Sequence, residues 1–237
     1  MAHPPGGHRG VRYAAPVAAA YHQDVPRPAD ARRGKPAPWL SGPARAGSSI
    51  PVERVRRAFA ALVAPHPQPP VHSAVLVPIV ETRGEAALVL IRRSDDLVHD
   101  AGHIAFPGGH LEPGEEALTA ALRESHEEIG LDPALVEVIG SFGALQRRRD
   151  RELVVPFVGL VAGHPPFVGD GREVAAILEV PLAALAADRV AWQESWGDGA
   201  EPGVCFFAGA DELGANLIWG LTARVIWDLL AVVLAGA

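Results

Sequence analysis

The stretch GHLEPGEEALTAALRESHEEIGL, residues 109–131, joins a glycine-containing turn to a helix that concentrates acid at its end. Within the segment RESHEEIGL, the residues Glu124, Glu127 and Glu128 stand at i, i+3 and i+4, so their carboxylates share one helix face. Like charges at this spacing destabilise an isolated helix by about 0.2–0.5 kcal/mol per pair, and anions near a helix C-terminus oppose its dipole. The cluster is therefore either a solvated acidic face or a site for a cation.

A hard divalent cation is one explanation of this acidic face. Mg²⁺ prefers oxygen ligands, and clustered carboxylates lose their mutual repulsion when they share an ion. Pro107, Gly108 and Gly109 precede the helix, and glycines let the backbone approach an ion or a phosphate closely. This combination suits hydrolysis at phosphorus, where a metal orients the phosphate and lowers the pKa of a water.

The pattern of apolar residues predicts both strands and helices in the rest of the chain. Apolar periodicity predicts helices at about 50–64, 114–129, 181–188 and 220–235. It predicts strands at about 72–80, 86–93, 102–106, 135–146, 152–161, 173–180, 189–194 and 203–208. A helix between strands, with further strands and a terminal helix, indicates an α/β sandwich with a mixed sheet.

Residues 1–48 differ in composition from residues 49–237. The first segment holds eight prolines, six glycines and seven Arg or Lys against two Asp, so its net charge is +5 and the remaining chain carries −12 of the total of −7. With few large apolar residues it predicts a disordered tail before one domain at 49–237. An organelle transit peptide and a wrongly assigned start codon are alternatives.

Composition also excludes several classes of protein. The net charge of −7 argues against nucleic-acid binding. No apolar run approaches the roughly 18 residues of a membrane span. The single cysteine, Cys205, fits a reducing compartment, so we expect a cytoplasmic protein, with organelle targeting by the tail left open.

The spacing from Gly109 onward resembles the Nudix box, G-x5-E-x7-R-E-U-x-E-E-x-G-U, in which U is a bulky apolar residue. Every fixed position of that pattern is present: Gly109, Glu115, Arg123, Glu124, Glu127, Glu128 and Gly130. One apolar position departs from it, since Ser125 stands there. The resemblance implies the Nudix α/β/α sandwich and a hydrolase that depends on Mg²⁺ or Mn²⁺.

The same resemblance implies roles for individual residues. The metal would be held by the carboxylates of Glu124, Glu127 and Glu128 and by the carbonyl of Gly109. Arg123 would hold the carboxylates in place, with Glu115 as its structural support. The expected catalytic residues are Arg123, Glu124, Glu127 and, from a later loop, Glu173 as a further ligand or a base.

Upstream, RRSDDLVHDAGHIAFPGG, residues 92–109, is similar to the signature of the coenzyme A pyrophosphatases within the Nudix superfamily, L-L-T-x-R-S-x3-R-x3-G-x3-F-P-G-G. The matching residues are Arg93, Ser94, Gly102, Phe106, Pro107, Gly108 and Gly109. Ile91 replaces the threonine and Val98 replaces the second arginine. The resemblance implies that substrate contacts come from Arg93, Ser94, Phe106 and Gly108. In QRRRDREL, residues 146–153, Arg147 and Arg148 are expected to bind phosphate, or the segment is a solvated turn.

These resemblances predict cleavage of coenzyme A or acyl-CoA to 3′,5′-ADP and 4′-phosphopantetheine or its acyl form. Val98 and Ile91 leave ADP-ribose, NADH and nucleotide sugars open as alternative substrates. A non-catalytic Nudix-fold ligand-binding regulator is the alternative from another class. The expected partner is a small nucleotide-derived molecule, with neither nucleic acid nor membrane, for a monomer or homodimer.

Overall fold

A computed structural model describes residues 25–34, 36–41, 49–60, 71–197 and 203–235. The helices are α1 (Val52–Ala60), α2 (Ala117–Ile129), α3 (Leu182–Leu185) and α4 (Gly220–Ala235). The strands are β1 (Arg32–Arg33), β2 (Ser73–Thr82), β3 (Glu85–Arg93), β4 (Ile104–Ala105), β5 (Gly108–His110), β6 (Val136–Ser141), β7 (Leu145–Gln146), β8 (Leu153–Val161), β9 (Val174–Pro181), β10 (Ala191–Ser195), β11 (Val204–Phe207) and β12 (Ile218–Trp219). Short 3-10 turns occur at Pro38–Ser41, Pro133–Leu135 and Asp211–Leu213.

The larger sheet in the described part of the chain is mixed, as predicted. Its main path runs β4-β3-β2-β8-β6, while β9 pairs with β3, β5 with β2 and β7 with β8. The pairing of β2 with β8 is parallel, and the other pairings in this sheet are antiparallel. Its central strands are buried on both faces, which explains why β2 and β3 read as near-continuous apolar runs.

Helices cover both faces of this sheet. Residues Val77 and Ile79 of β2 pack on the side that holds α1 and α4, whereas Leu76 and Val80 pack on the side that holds α2. This alternation follows from the two-residue period of a strand. The predicted α/β/α sandwich is therefore confirmed.

The smaller sheet has the order β1-β10-β11-β12 and is antiparallel throughout. Its first strand comes from the segment predicted to be disordered, so that prediction does not hold for residues 25–34 and 36–41. Arg32 pairs with Ser195, and Trp39 is 4% exposed and donates its indole N–H to the carbonyl of Ala186 at 3.2 Å. Trp39 supplies apolar area that the Pro- and Gly-rich composition concealed. The remainder of the first 48 residues lies outside the described residues.

The end of α2 is fixed by its cap. Gly130 adopts φ 68° and donates its N–H to the carbonyl of His126, while Leu131 donates to the carbonyl of Ser125 and is 1% exposed. The hydroxyl of Ser125 donates to the carbonyl of Ala121 at 2.7 Å, which satisfies this polar group at its apolar position. The acidic end of α2 therefore has a defined place above the sheet.

Candidate active site

Two glycines bring the backbone of β5 against the acidic face of α2. Gly108 donates its N–H to Oε2 of Glu128 at 2.8 Å. A Cβ on Gly108, whose φ is 147°, would lie 2.4 Å from the carbonyl oxygen of Ala74, so no side chain fits there. A Cβ on Gly109 would lie 2.6 Å from Cδ of Glu124. The carboxylates of Glu124 and Glu128 thus lie directly against the backbone of β5.

Glu128 is a buried carboxyl group in an acidic neighbourhood. Its residue is 5% exposed, and this burial raises the pKa of Glu128 to about 8. The N–H of Gly108 and the guanidinium of Arg93 lower that pKa, whereas the charges of Glu124 and Glu173 raise it. A cation beside these carboxylates would favour the ionised form of Glu128.

Arg123 donates hydrogen bonds to the other three carboxylates of the box. Its Nε and Nη2 donate to the two oxygens of Glu115 at 2.9 and 3.0 Å. Its Nη1 donates to Glu124 at 2.9 Å and to Glu127 at 3.3 Å. These bonds, above all the one with Glu115, raise the pKa of Arg123, and Arg123 in turn lowers the pKa of Glu115. The arginine therefore fixes the orientation of the carboxylates around it.

The carboxylates fit a hard divalent ion in their chemistry. All three predicted side-chain ligands offer anionic oxygen, and exposure increases from Glu128 (6% of the side chain) through Glu124 (20%) to Glu127 (57%). Within the described part of the chain, no three Asp, Glu, His or Cys side chains already converge on a point that could hold a metal. Arg123 instead neutralises Glu124 and Glu127, so an arriving ion competes with this arginine for them.

Arg93, at the end of β3, links two acids of the site. Its Nη1 lies 3.9 Å from Oε1 of Glu128 and its Nη2 lies 3.5 Å from Oε2 of Glu173. Its Nε is buried and has no hydrogen-bond partner among the described residues. Ser94 donates its backbone N–H to the carbonyl of Glu173 at 2.7 Å, and its hydroxyl accepts the N–H of Asp96 at 3.4 Å.

Phe106 corrects one sequence prediction. We expected it to contact substrate, but it is 4% exposed and belongs to the main hydrophobic core. The reason is strand alternation: Ile104 and Phe106 both point inward, while Ala105 between them is partly exposed.

The segment 146–153 contains a turn at residues 148–150 and is largely exposed, as the solvated-turn alternative predicts, and its arginines also make specific contacts. Arg147 pairs through Nη2 with Asp150 at 2.8 Å and with Glu152 at 2.5 Å, so it organises its own loop. The guanidinium of Arg148 lies over the ring of Trp196, 5.9 Å from its centroid. Arg149 bonds to Asp100 at 2.8 Å and thereby ties this loop to the one after β3. The three arginines thus have three different surroundings.

Sequence reasoning missed Asp170. Its carboxylate accepts three backbone N–H groups from residues 172–174 and so shapes the turn before Glu173. The Asp170-Gly171 pair is a common turn signal that could have revealed it.

The family model that matches this chain is the NUDIX domain, over residues 70–197. The chain therefore belongs to the Nudix family, and it is a Nudix hydrolase acting on the pyrophosphate linkage of a nucleoside diphosphate derivative. Such hydrolases use divalent metal ions.

Among curated proteins, the chain is similar to the uncharacterized Nudix hydrolase NudL of Yersinia enterocolitica serotype O:8 / biotype 1B, with 40% identity over 157 residues, or 65% of this chain and 77% of that protein. NudL of Yersinia pestis strain Pestoides F is 38% identical over 159 residues, or 66% and 77% of the two chains.

Solved structures give weaker matches. A MutT/nudix family protein from Enterococcus faecalis aligns with TM-score 0.47 and 19% identity over 75% of this chain and 67% of that chain. The Nudix hydrolase RenU from M. smegmatis aligns with TM-score 0.42 and 23% identity over 49% and 73%. Separately, no helix within the described residues is long and apolar enough to cross a membrane.

Proposed function

We propose that this chain hydrolyses the pyrophosphate bond of coenzyme A or an acyl derivative, giving 3′,5′-ADP and 4′-phosphopantetheine or its acyl form. One observation carries the proposal: residues of the coenzyme A pyrophosphatase signature contact the box carboxylates. Gly108 bonds to Glu128, and Arg93 lies between Glu128 and Glu173. These contacts support a single site built from the signature residues and the acidic helix.

The charge of coenzyme A requires cations in an acidic domain. Arginine forks suit phosphate oxygens, and stacking on an aromatic ring orients a guanidinium. We assign Arg93, Arg147 and Arg148 to substrate binding. Ser94 and Gly108 border the same site, and their backbone N–H groups bond to Glu173 and Glu128. Arg148 is the arginine of this loop that we expect to contact the nucleotide half, because Trp196 beneath it offers an aromatic face. Phe106 has no part in this proposal.

The proposed cofactor is Mg²⁺ or Mn²⁺, held by Glu124, Glu127 and Glu128 with the Gly109 carbonyl. When bound, this ion supplies positive charge to the pyrophosphate and lowers the pKa of a water molecule.

The protein's own groups orient and neutralise the reacting atoms. Arg123, supported by Glu115, orients Glu124 and Glu127, and the Gly108 N–H fixes Glu128. Glu173 accepts a proton from the attacking water as a new P–O bond forms. The bridging P–O bond breaks, and each product leaves as a phosphate monoester.

A substrate panel tests the proposal. Purified protein with Mg²⁺ or Mn²⁺ is incubated with coenzyme A, acetyl-CoA, ADP-ribose, NADH and UDP-glucose, and the products are separated by chromatography. Glu127→Gln serves as the inactive control and the exposed Glu116→Gln as its matched variant. We expect coenzyme A or its acyl form to be turned over fastest. A turnover rate for ADP-ribose far above that for coenzyme A would reject coenzyme A as the substrate.

One observation favours the alternative substrates. Val98, where the signature has its second arginine, is 90% exposed and supplies no cation. A ligand with fewer phosphates, such as ADP-ribose, NADH or a nucleotide sugar, needs that cation less. Binding of such a ligand without any turnover would instead indicate a non-catalytic regulator.

A further inference from the structure

We propose that Asp170 is a positioning residue whose carboxylate closes the turn that holds Glu173 at the active site. The proposal rests on the proposed function, because it concerns the carboxylate to which we assign the proton transfer. It adds a residue outside the Nudix box and outside the coenzyme A pyrophosphatase signature.

The carboxylate of Asp170 accepts a fan of backbone N–H groups. Its Oδ1 accepts from Arg172, Glu173 and Val174, each at 3.0 Å, and its Oδ2 accepts from Glu173 at 3.2 Å. Gly171 takes a φ of 70°, which lets the chain reverse within this turn. Glu173 therefore leaves the turn with its backbone N–H fixed twice by one side chain.

The turn is also attached to the rest of the site on two sides. Asp170 donates its N–H to the carbonyl of Glu128 at 3.1 Å, and Val168 donates to the carbonyl of Ile129 at 3.0 Å. These carbonyls belong to the last turn of α2, where no intrahelical donor remains for them. On the other side, the carbonyl of Glu173 accepts the N–H of Ser94 at 2.7 Å. The end of the acidic helix and the end of β3 thus meet at this turn.

The result is an exposed carboxylate in a defined position. The Glu173 side chain is 53% exposed, yet its Oε2 lies 3.5 Å from Nη2 of Arg93, whose other nitrogen faces Glu128. An exposed ion pair by itself restrains a side chain weakly. The backbone bonds to Asp170 and Ser94 therefore have to supply the restraint that catalysis requires, since small displacements of a catalytic group are costly.

A double-mutant cycle tests this coupling on the best substrate of the panel. Asp170→Ala should lower kcat at least about 10-fold and change KM less than about 3-fold, because it displaces a group that acts on bound substrate. Asp170→Asn keeps an oxygen that accepts the three N–H bonds and should retain most of kcat. In a Glu173→Gln background, Asp170→Ala should have less than about a 2-fold further effect, since coupled residues are not additive.

A second measurement follows the turn directly. Hydrogen exchange at the amides of residues 172–174, in metal-free protein, should accelerate at least about 10-fold in Asp170→Ala and remain slow in Asp170→Asn. If Asp170→Ala does not fold, Asp170→Glu replaces it with the same expected pattern. Additive effects in the cycle, or unchanged exchange in the alanine variant, would overturn the proposal. Failure of the wild type on every substrate would refute the proposed function, while the exchange result still reports on the turn.

Discussion

The substitution Glu128→Gln should make the metal-free protein less sensitive to alkaline pH. Burial raises the pKa of Glu128 to about 8, from an ordinary value of 4.5. A glutamine is neutral at every pH and its oxygen can still accept the N–H of Gly108. The prediction therefore isolates the cost of ionising one buried carboxyl group among Glu124 and Glu173.

The sign and the size of the change in unfolding free energy with pH follow from proton linkage. Between pH 4.5 and about 8 the folded protein keeps a proton that the unfolded chain has released. The contribution of Glu128 to the free energy of unfolding is complete below pH 4.5 and falls by about 1.4 kcal/mol per pH unit above it. The total loss by pH 9 is about 4–5 kcal/mol.

Urea denaturation with a chelator present, followed by tryptophan fluorescence at pH 5, 7 and 9, measures this difference. Glu128→Gln should gain about 4 kcal/mol relative to wild type between pH 5 and 9. The exposed Glu116→Gln on the same segment should follow the wild-type curve. Adding Mg²⁺ at about 100 times its Kd should stabilise wild type by about 2.7 kcal/mol and the glutamine variant by less. Parallel pH profiles for wild type and Glu128→Gln would show that Glu128 does not keep its proton in the folded protein.

Three further substitutions and one truncation test other features of the protein. Glu127→Gln should lower kcat at least about 100-fold at an unchanged Tm, because this side chain is 57% exposed and structurally dispensable; an unchanged kcat would place the metal elsewhere. Arg123→Ala should lower the free energy of unfolding, measured by urea denaturation, by about 1–3 kcal/mol and should also remove most of kcat. The reason is that the carboxylates of Glu115 and Glu124 lose their hydrogen-bond donor. Full activity of the variant would show that Arg123 does not orient these carboxylates. Trp39→Ala should lower the free energy of unfolding by about 3–5 kcal/mol, whereas truncation before Val25 should change it little. Equal stabilities of wild type and Trp39→Ala would support the prediction that this segment is disordered.

Much of the fold was predictable because its elements are marked locally. The apolar runs of β2 and β3, the helical period of α2 and the glycine after it each specify structure over a few residues. The predicted strand at 135–146 instead splits into β6 and β7, because Gly143 between them turns with φ 74°.

The attachment of the N-terminal segment was not predictable. Its partners, Ala186 and Ser195, lie about 150 residues away along the chain, and no local pattern encodes a contact at that separation.

The site likewise has a part that local sequence predicts and a part that depends on distant contacts. The spacing of the box predicted the neighbours of Arg123, since a helix and one turn carry all of them. The surroundings of Arg147 and Arg148 depend on other loops and a second sheet, so composition left them equivalent. Phe106 was misassigned because a signature does not state whether a side chain is buried.

In the proposed function, the acidic helix and the upstream signature form one metal-dependent site for coenzyme A. The most direct measurement is mass spectrometry of the products from coenzyme A and Mg²⁺ or Mn²⁺, with wild type and Glu127→Gln side by side. We expect 3′,5′-ADP and 4′-phosphopantetheine in equal amounts from wild type, and at least about 100-fold less of both from the variant. Intact coenzyme A after incubation with wild type, or equal product from both proteins, would contradict it.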